Sequence, residues 1–217
     1  MAFKPSYNPK NGRFKVLVRL SYFKGFEKTK SFDSGALKYR SNGLISKKTP
    51  EGEASKKVVN EAIVDLIKKT WPGKDPKKMK EALGDQSKGG RWPLYDGDKY
   101  KTDDGEVREG YEEQFFLKLT NDKKPKFKNR RGEDIDQEDA EDLFRSGFWA
   151  VAYAHLYPVK DKDKGGNGIF VTVDAFQYYK KDEEFAGGGI DDDEIDDLGD
   201  DEDDLSDDDD DDDDMDL

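Results

Sequence analysis

The sequence predicts a mainly β domain, a small Greek-key barrel with helices inserted between its strands, followed by an acidic segment that stays outside it. Two observations carry this. Apolar residues alternate with period two in five or six stretches, broken by runs of helical period. The charges are also segregated: the last 28 residues, Ile190 to Leu217, hold 20 of the 51 Asp and Glu and none of the 38 Lys and Arg. Residues 1–189 therefore set 38 cations against 31 carboxylates, a balance of +7, although the whole chain stands at −13 with a pI near 4.7.

Taken in order, Arg13 to Phe23 alternates strictly. Phe14, Val16, Val18, Leu20 and Tyr22 lie on one face, and Arg13, Lys15, Leu17, Arg19, Ser21 and Phe23 on the other, the pattern of a half-buried strand. Lys24 to Phe32 alternates again after a Gly and reads as a second strand, with a hairpin signal at Ser41 to Leu44 (SNGL). Between Glu53 and Trp71 the period changes: Val58, Val59, Ala62, Ile63, Leu66 and Ile67 form the stripe of a helix that stops before Pro72. Asp75-Pro76 supplies a cap and first-turn Pro for a short helix ending at Gly84. Residues 85–93 read as a Gly-rich loop and Pro93 to Tyr100 as a turn between extended pieces. The next strand is Tyr111 to Asn121, with Phe115, Leu117 and Leu119 opposing Gln114, Phe116, Lys118 and Thr120. A basic loop follows, then a short helix from Asp136 to Phe144 closed by Gly147. Gly147 to Val159 alternates a small face (Ala150, Ala152, Ala154) with an aromatic one (Trp149, Tyr153, His155, Tyr157), and a final strand lies within Gly165 to Tyr179, across a Lys/Gly loop. The composition of residues 186–189 (AGGG) reads as a hinge, so the domains expected are a barrel at 1–189 and a disordered tail at 190–217.

Composition narrows the chemistry. All 13 Phe, 10 Tyr and 3 Trp lie before Gly187, an aromatic load that suggests more than interior packing. With 41% charged residues and a mean hydropathy of −1.08, no stretch approaches a membrane span, and the start lacks the apolar core of a secretory signal. The absence of Cys removes thiolate metal sites and cysteine nucleophiles and favours an intracellular, cytoplasmic setting. A single His155 makes histidine metal clusters and serine triads implausible, and a hydrogen-bonded structural imidazole is its preferred reading. Asp96 and Asp98 read as turn residues rather than metal ligands, and the run Asp207 to Asp214 lacks the spaced ligands of a calcium loop. No cofactor and no catalytic residue follow.

What remains is interleaved rings and cations, the means by which a protein stacks unpaired bases and meets phosphates. The stacking candidates are Trp149, Tyr153 and Tyr157, then Phe23 and Phe116; the phosphate candidates are Lys15, Arg19, Lys118, Lys126 and Lys128. For any single ring, core packing is the commoner role.

On Gly147 to Val159, Gly165 to Gly188 and Pro93 to Tyr100, with the TWP after the long helix, KPKF at Lys124 to Phe127 and FRSGFWA at Phe144 to Ala150, the chain resembles the phage single-stranded DNA-binding proteins of the T7 type. That resemblance covers most of the body in order. It implies an OB-fold whose face binds single-stranded DNA, and a tail that competes with DNA and contacts replication proteins such as a polymerase or helicase. The tail departs from the pattern by ending in Leu217 rather than an aromatic. The expected function is sequence-tolerant binding of single strands in phage DNA replication or recombination, in the host cytoplasm, without enzymatic activity. A homodimer is compatible with it. The alternative is that the tail is the active element, as in acidic chaperones or DNA mimics, against which the +7 body argues. A metal-dependent nuclease would need a defined carboxylate cluster, which DGD alone does not supply.

Overall fold

The computed structural model describes residues 3–30, 36–86, 90–160 and 166–185. The expected hinge at 186–189, the tail at 190–217 and the Lys/Gly loop at 161–165 lie outside the described residues.

The elements run β1 (Ser6–Asn8), β2 (Arg13–Lys30), β3 (Leu37–Ser46), α1 (Pro50–Thr70), α2 (Pro76–Leu83), β4 (Leu94–Asp96), β5 (Gln114–Asn121), β6 (Lys126–Lys128), α3 (Gln137–Leu143), β7 (Trp149–Val159) and β8 (Gly168–Lys180). Antiparallel pairing links β5, β3, β2, β7 and β8 in that order, and a parallel contact at Leu119–Val171 and Thr120–Thr172 joins β8 back to β5. The five strands close into a barrel. Counted along the chain they stand first, second, third, fifth and fourth around it, the order of an OB-fold, as the sequence leads one to expect.

The inner face carries Phe14, Val16, Val18, Leu20, Ile45, Leu117, Leu119, Ile169, Val171 and Val173, all nearly inaccessible to solvent. Large residues of β2 face small ones of β7 across the ladder, Phe14 on Ala154, Val16 on Ala152 and Val18 on Ala150. That large-to-small pairing lets a narrow barrel fill without voids. α1 buries Val59, Ala62, Ile63 and Ile67 in the same core. Its start is fixed by Thr49, whose hydroxyl accepts from Gly52 N at 3.1 Å, with Pro50 in the first turn. α2 begins on the Asp75 cap and ends at Gly84, and α3 on the Asp136 cap.

Two readings of the first third are corrected. β2 is one strand of 18 residues rather than two, and Ser41 to Leu44 lies in the middle of β3 rather than in a turn. The break that sequence suggested near Gly25 is a bulge. Pairing of β2 with β3 slips between Ser21 and Lys24, and Tyr22 takes φ 46. The bulge reverses the alternation beyond it. Tyr22 turns outward, and Phe23 turns into the barrel to meet Phe26, Phe127, Phe144 and Phe176 with ring centroids 5.3–6.3 Å apart. Much of the aromatic load is thus a plug packed into the barrel core. The segment read as a basic loop contains β6, whose Phe127 joins this plug through parallel pairing with β8.

A second, smaller cluster lies outside the barrel wall. Leu44 and Phe116, neighbours on the outward face of β3 and β5, are covered by the insert 94–111 through Tyr95, Tyr100 and Tyr111. The Pro93 to Tyr100 turn is held by Asp96 and Asp98. Asp98 accepts from Glu113 N at 2.6 Å, and both carboxylates engage Lys47, Asp98 at 2.7 Å. The hydrogen bond from Lys47, and then that from the Glu113 backbone, hold the Asp98 carboxyl below its usual range.

Candidate nucleic-acid interface

In an OB-fold the outward face of the second and third strands, with the loops after the first and fourth, is the surface suited to oligonucleotides. Here those strands are β3 and β5. Their outward positions follow from register: Asn42 lies opposite Lys118 and Arg40 opposite Thr120, with Ser21 of β2 opposite Asn42. The row continues across the barrel closure to Thr172 and His155. One end of this face is walled by the insert 94–111. Tyr111 anchors it, its hydroxyl donating to Ser21 Oγ at 3.1 Å and accepting from Asn42 Nδ2 at 2.6 Å. Burial pushes the Tyr111 phenol well above its ordinary value, so it stays neutral and can do both.

Lys118 sits over the Tyr95 ring at 4.8 Å. Beyond the Leu119–Val171 pair, the outward position of β8 is Phe170, stacked on Tyr157 at 5.7 Å and 30°, with the Arg91 guanidinium over it at 5.1 Å. Arg91 is fixed by donating to the carbonyls of Gly166 and Asn167. Cations thus line β3 and β5, and the half-buried ring pair Phe170–Tyr157 with Arg91 closes the face at the start of β8. At the far end the extended ribbon of β2 and β3 carries Lys24, Lys28, Lys30, Lys38 and Arg40, with Arg40 Nε donating to Thr29 Oγ1 at 2.7 Å.

The residues singled out from sequence divide among three places. Lys118 and Tyr157 belong to this face. Lys15 and Tyr153 lie opposite each other on the outward side of β2 and β7, as do Arg19 and Trp149. Tyr153 donates to Gln177 Oε1 at 2.8 Å. Lys126 and Lys128 stand on β6 at the edge of β8, with Lys128 paired to Asp134 at 2.9 Å. Two ring assignments are corrected. Phe116 is 0% exposed, stacked on Tyr95 under the insert, and has no face for a base. Phe23, half-buried, is turned by the bulge at Tyr22 to pack against the core.

Arg19 and Trp149 are engaged by the chain itself. The segment 181–185 crosses β2 and β7: Trp149 Nε1 donates to Asp182 Oδ2 at 2.6 Å, and Arg19 donates to the carbonyls of Gly147 at 2.7 Å and Glu183 at 2.8 Å while stacking on Phe185 at 4.3 Å. Gly147, at φ 101, leaves room for this strap, since a Cβ there would stand 2.1 Å from Glu183 O. The hydrogen bond from Trp149, and then that from the Glu183 backbone, lower the Asp182 carboxyl from its usual value. A depressed carboxylate stabilises the folded chain above its unfolded pKa, about 3.9, and loses that contribution as pH falls through the folded value. The strap is therefore expected to hold through mildly acidic pH and to loosen below about pH 4. Tryptophan fluorescence of the parent should show an acid step that Asp182→Ala lacks.

His155 Nδ1 lies 3.1 Å from Asp174 Oδ2, which also meets Arg13 Nε at 3.2 Å, consistent with a structural imidazole. Among the described residues no group of three or more His, Asp or Glu is placed to hold a metal ion, and no helix is long and apolar enough to cross a membrane. Sequence reasoning did not single out Asn42, Arg40, Arg91 or Phe170, which the structure places on this face. The alternation of Ile169, Val171 and Val173 already marks Phe170 as outward; nothing in the sequence marks Tyr22.

Residues 14–208 match the family described as Enterobacter phage Enc34, ssDNA-binding protein. Protein p50 of Acyrthosiphon pisum secondary endosymbiont phage 1 is 27% identical over 163 residues, 75% of this chain and 80% of that protein. Among solved structures, the single-stranded DNA-binding protein from bacteriophage Enc34 in complex with ssDNA superposes with a TM-score of 0.62 at 21% identity, covering 81% of this chain and 90% of that one. The same phage protein in another structure gives 0.58 at 19% identity over 88% and 97%. At these identities the likeness speaks to the fold.

Proposed function

The chain belongs to the ssDNA-binding protein family of Enterobacter phage Enc34, and from that premise we propose that it binds single-stranded DNA without sequence preference, protecting exposed strands during phage DNA replication or recombination. The observation that supports this most is that Lys118, Arg40 and Arg91 share one outward face with the Tyr157–Phe170 ring pair, between the insert and the β2–β3 ribbon. Rings accept any base by its π-face at about 1–3 kcal/mol per base, and cations meet phosphates; neither reads sequence. No bond is made or broken in this function.

In this reading the 20 carboxylates of residues 190–217 are a second, internal polyanion that competes with DNA for the basic face of residues 1–189, and a contact for replication proteins such as a polymerase or helicase.

Fluorescence anisotropy with labelled oligo-dT and a matched duplex, titrated with salt, tests the reading. The single strand is expected to bind more tightly at every salt concentration, with log K falling linearly against log salt by about 0.7 per phosphate contacted. Equal or tighter binding of the duplex, or binding indifferent to salt, would remove it.

A further inference from the structure

Tyr22 is one of two exposed large apolar side chains among the described residues, at 49%, and it is held at φ 46. Bulky residues seldom occupy that region, whereas Gly enters it without cost. Such outliers persist where the surrounding structure enforces them, and they cluster at ligand sites. Little burial offsets the strain, since the ring stands at the surface, 6.2 Å from Tyr111. Beside it lies Arg108, whose guanidinium sits over the Tyr100 ring at 4.9 Å with Nη1 donating to the Tyr22 hydroxyl at 3.4 Å. Arg108 Nε is buried without a hydrogen-bond partner, and Asp103 acts on this cation only through space, with no ion pair formed among the described residues. A strained, presented ring and an incompletely satisfied guanidinium thus meet at the end of the Ser21–Asn42–Lys118 row.

We infer that Tyr22 and Arg108 form a nucleotide subsite, in which the Tyr22 ring stacks on one unpaired base and Arg108 takes an adjoining phosphate. The inference rests on the single-strand reading above and assigns it a specific place. It also explains why a tyrosine occupies a position shaped for glycine: the bulge serves to lift the ring out of the wall, and the insert, tied down by Tyr111, holds Arg108 against it.

The backbone provides an unusual test. Tyr22→Gly removes the ring and relieves the strain together, so a site held for binding is expected to melt at or above the parental temperature and yet bind oligo-dT about 5- to 150-fold more weakly, the loss of one stacked base. Tyr22→Phe, which keeps the ring, is expected to bind at least about tenfold more tightly than Tyr22→Gly if the loss is near the middle of that range. Arg108→Gln is expected to weaken binding and to flatten the salt slope by about 0.7, whereas Tyr22→Gly leaves the slope unchanged. Parental affinity in Tyr22→Gly overturns the subsite. In that event Lys118→Ala separates the two claims, because weakened binding there keeps the face as the DNA site without Tyr22. Absence of single-strand binding by the parent overturns both.

Discussion

Deleting residues 190–217 is expected to raise affinity for oligo-dT at least about tenfold near 0.02 M salt and by less than about twofold near 0.5 M, because charge competition is screened over a few ångströms at high ionic strength. The segment removed carries 20 carboxylates and no cation, and what remains is positive by 7. A tethered competitor acts at an effective concentration near millimolar, far above that of DNA in the assay. Phe185 packs on Arg19 and on the Tyr111 cluster, beside the insert that walls the proposed face. Equal affinities of the full chain and residues 1–189 at low salt would dispose of the competition, and a gain undiminished by salt would show it to be steric rather than electrostatic.

Phe116→Ala is expected to destabilise the domain by about 3–5 kcal/mol, the usual cost of emptying a buried aromatic position. Phe116 touches Tyr95, Tyr100 and Tyr111 at centroid distances of 5.0–5.1 Å and is wholly inaccessible. At about 2–4 °C per kcal/mol for a domain of this size, the melting temperature should fall by roughly 6–20 °C in calorimetry. The loss should reach binding only through the insert, whose attachment to the barrel depends on this cluster. A melting temperature within about 2 °C of the parent, with weakened DNA binding, would return Phe116 to the role its sequence context suggested and refute the burial described here.

Helices were the most legible part of the chain, since their limits rest on local chemistry: Asp75 with Pro76 caps α2 as read, while α1, read from Glu53, begins three residues earlier at Pro50 after its Thr49 cap. The alternation of β7 was equally plain, and its small face is the one buried. What misled was local chemistry serving a non-local purpose. Asn42-Gly43 has the composition of a hairpin turn, yet it sits mid-strand because Asn42 donates to Tyr111, 69 residues away, and a Cβ at Gly43 would crowd Val18 and Leu119 at 3.0 Å. Phe116 followed the alternation correctly to the outward face; the sequence could not show that an insert folds back over it. The bulge at Tyr22 has no glycine to announce it, so both Phe23 and Tyr22 were assigned to the wrong sides. Lys118 and Tyr157 lie on the outward face that the strand period assigns them, whereas Arg91 and Arg108 lie in irregular segments positioned by contacts far along the chain.

The most direct test of the account is photocrosslinking of the full chain to oligo-dT bearing 5-iododeoxyuridine, followed by mapping of the modified peptides. Crosslinks are expected in peptides containing Tyr22, Lys118, Tyr157 and Phe170, and are expected to be competed by unlabelled single strand but not by duplex. Crosslinks confined to β6 or to α1, with the face of β3 and β5 unmodified, would contradict it.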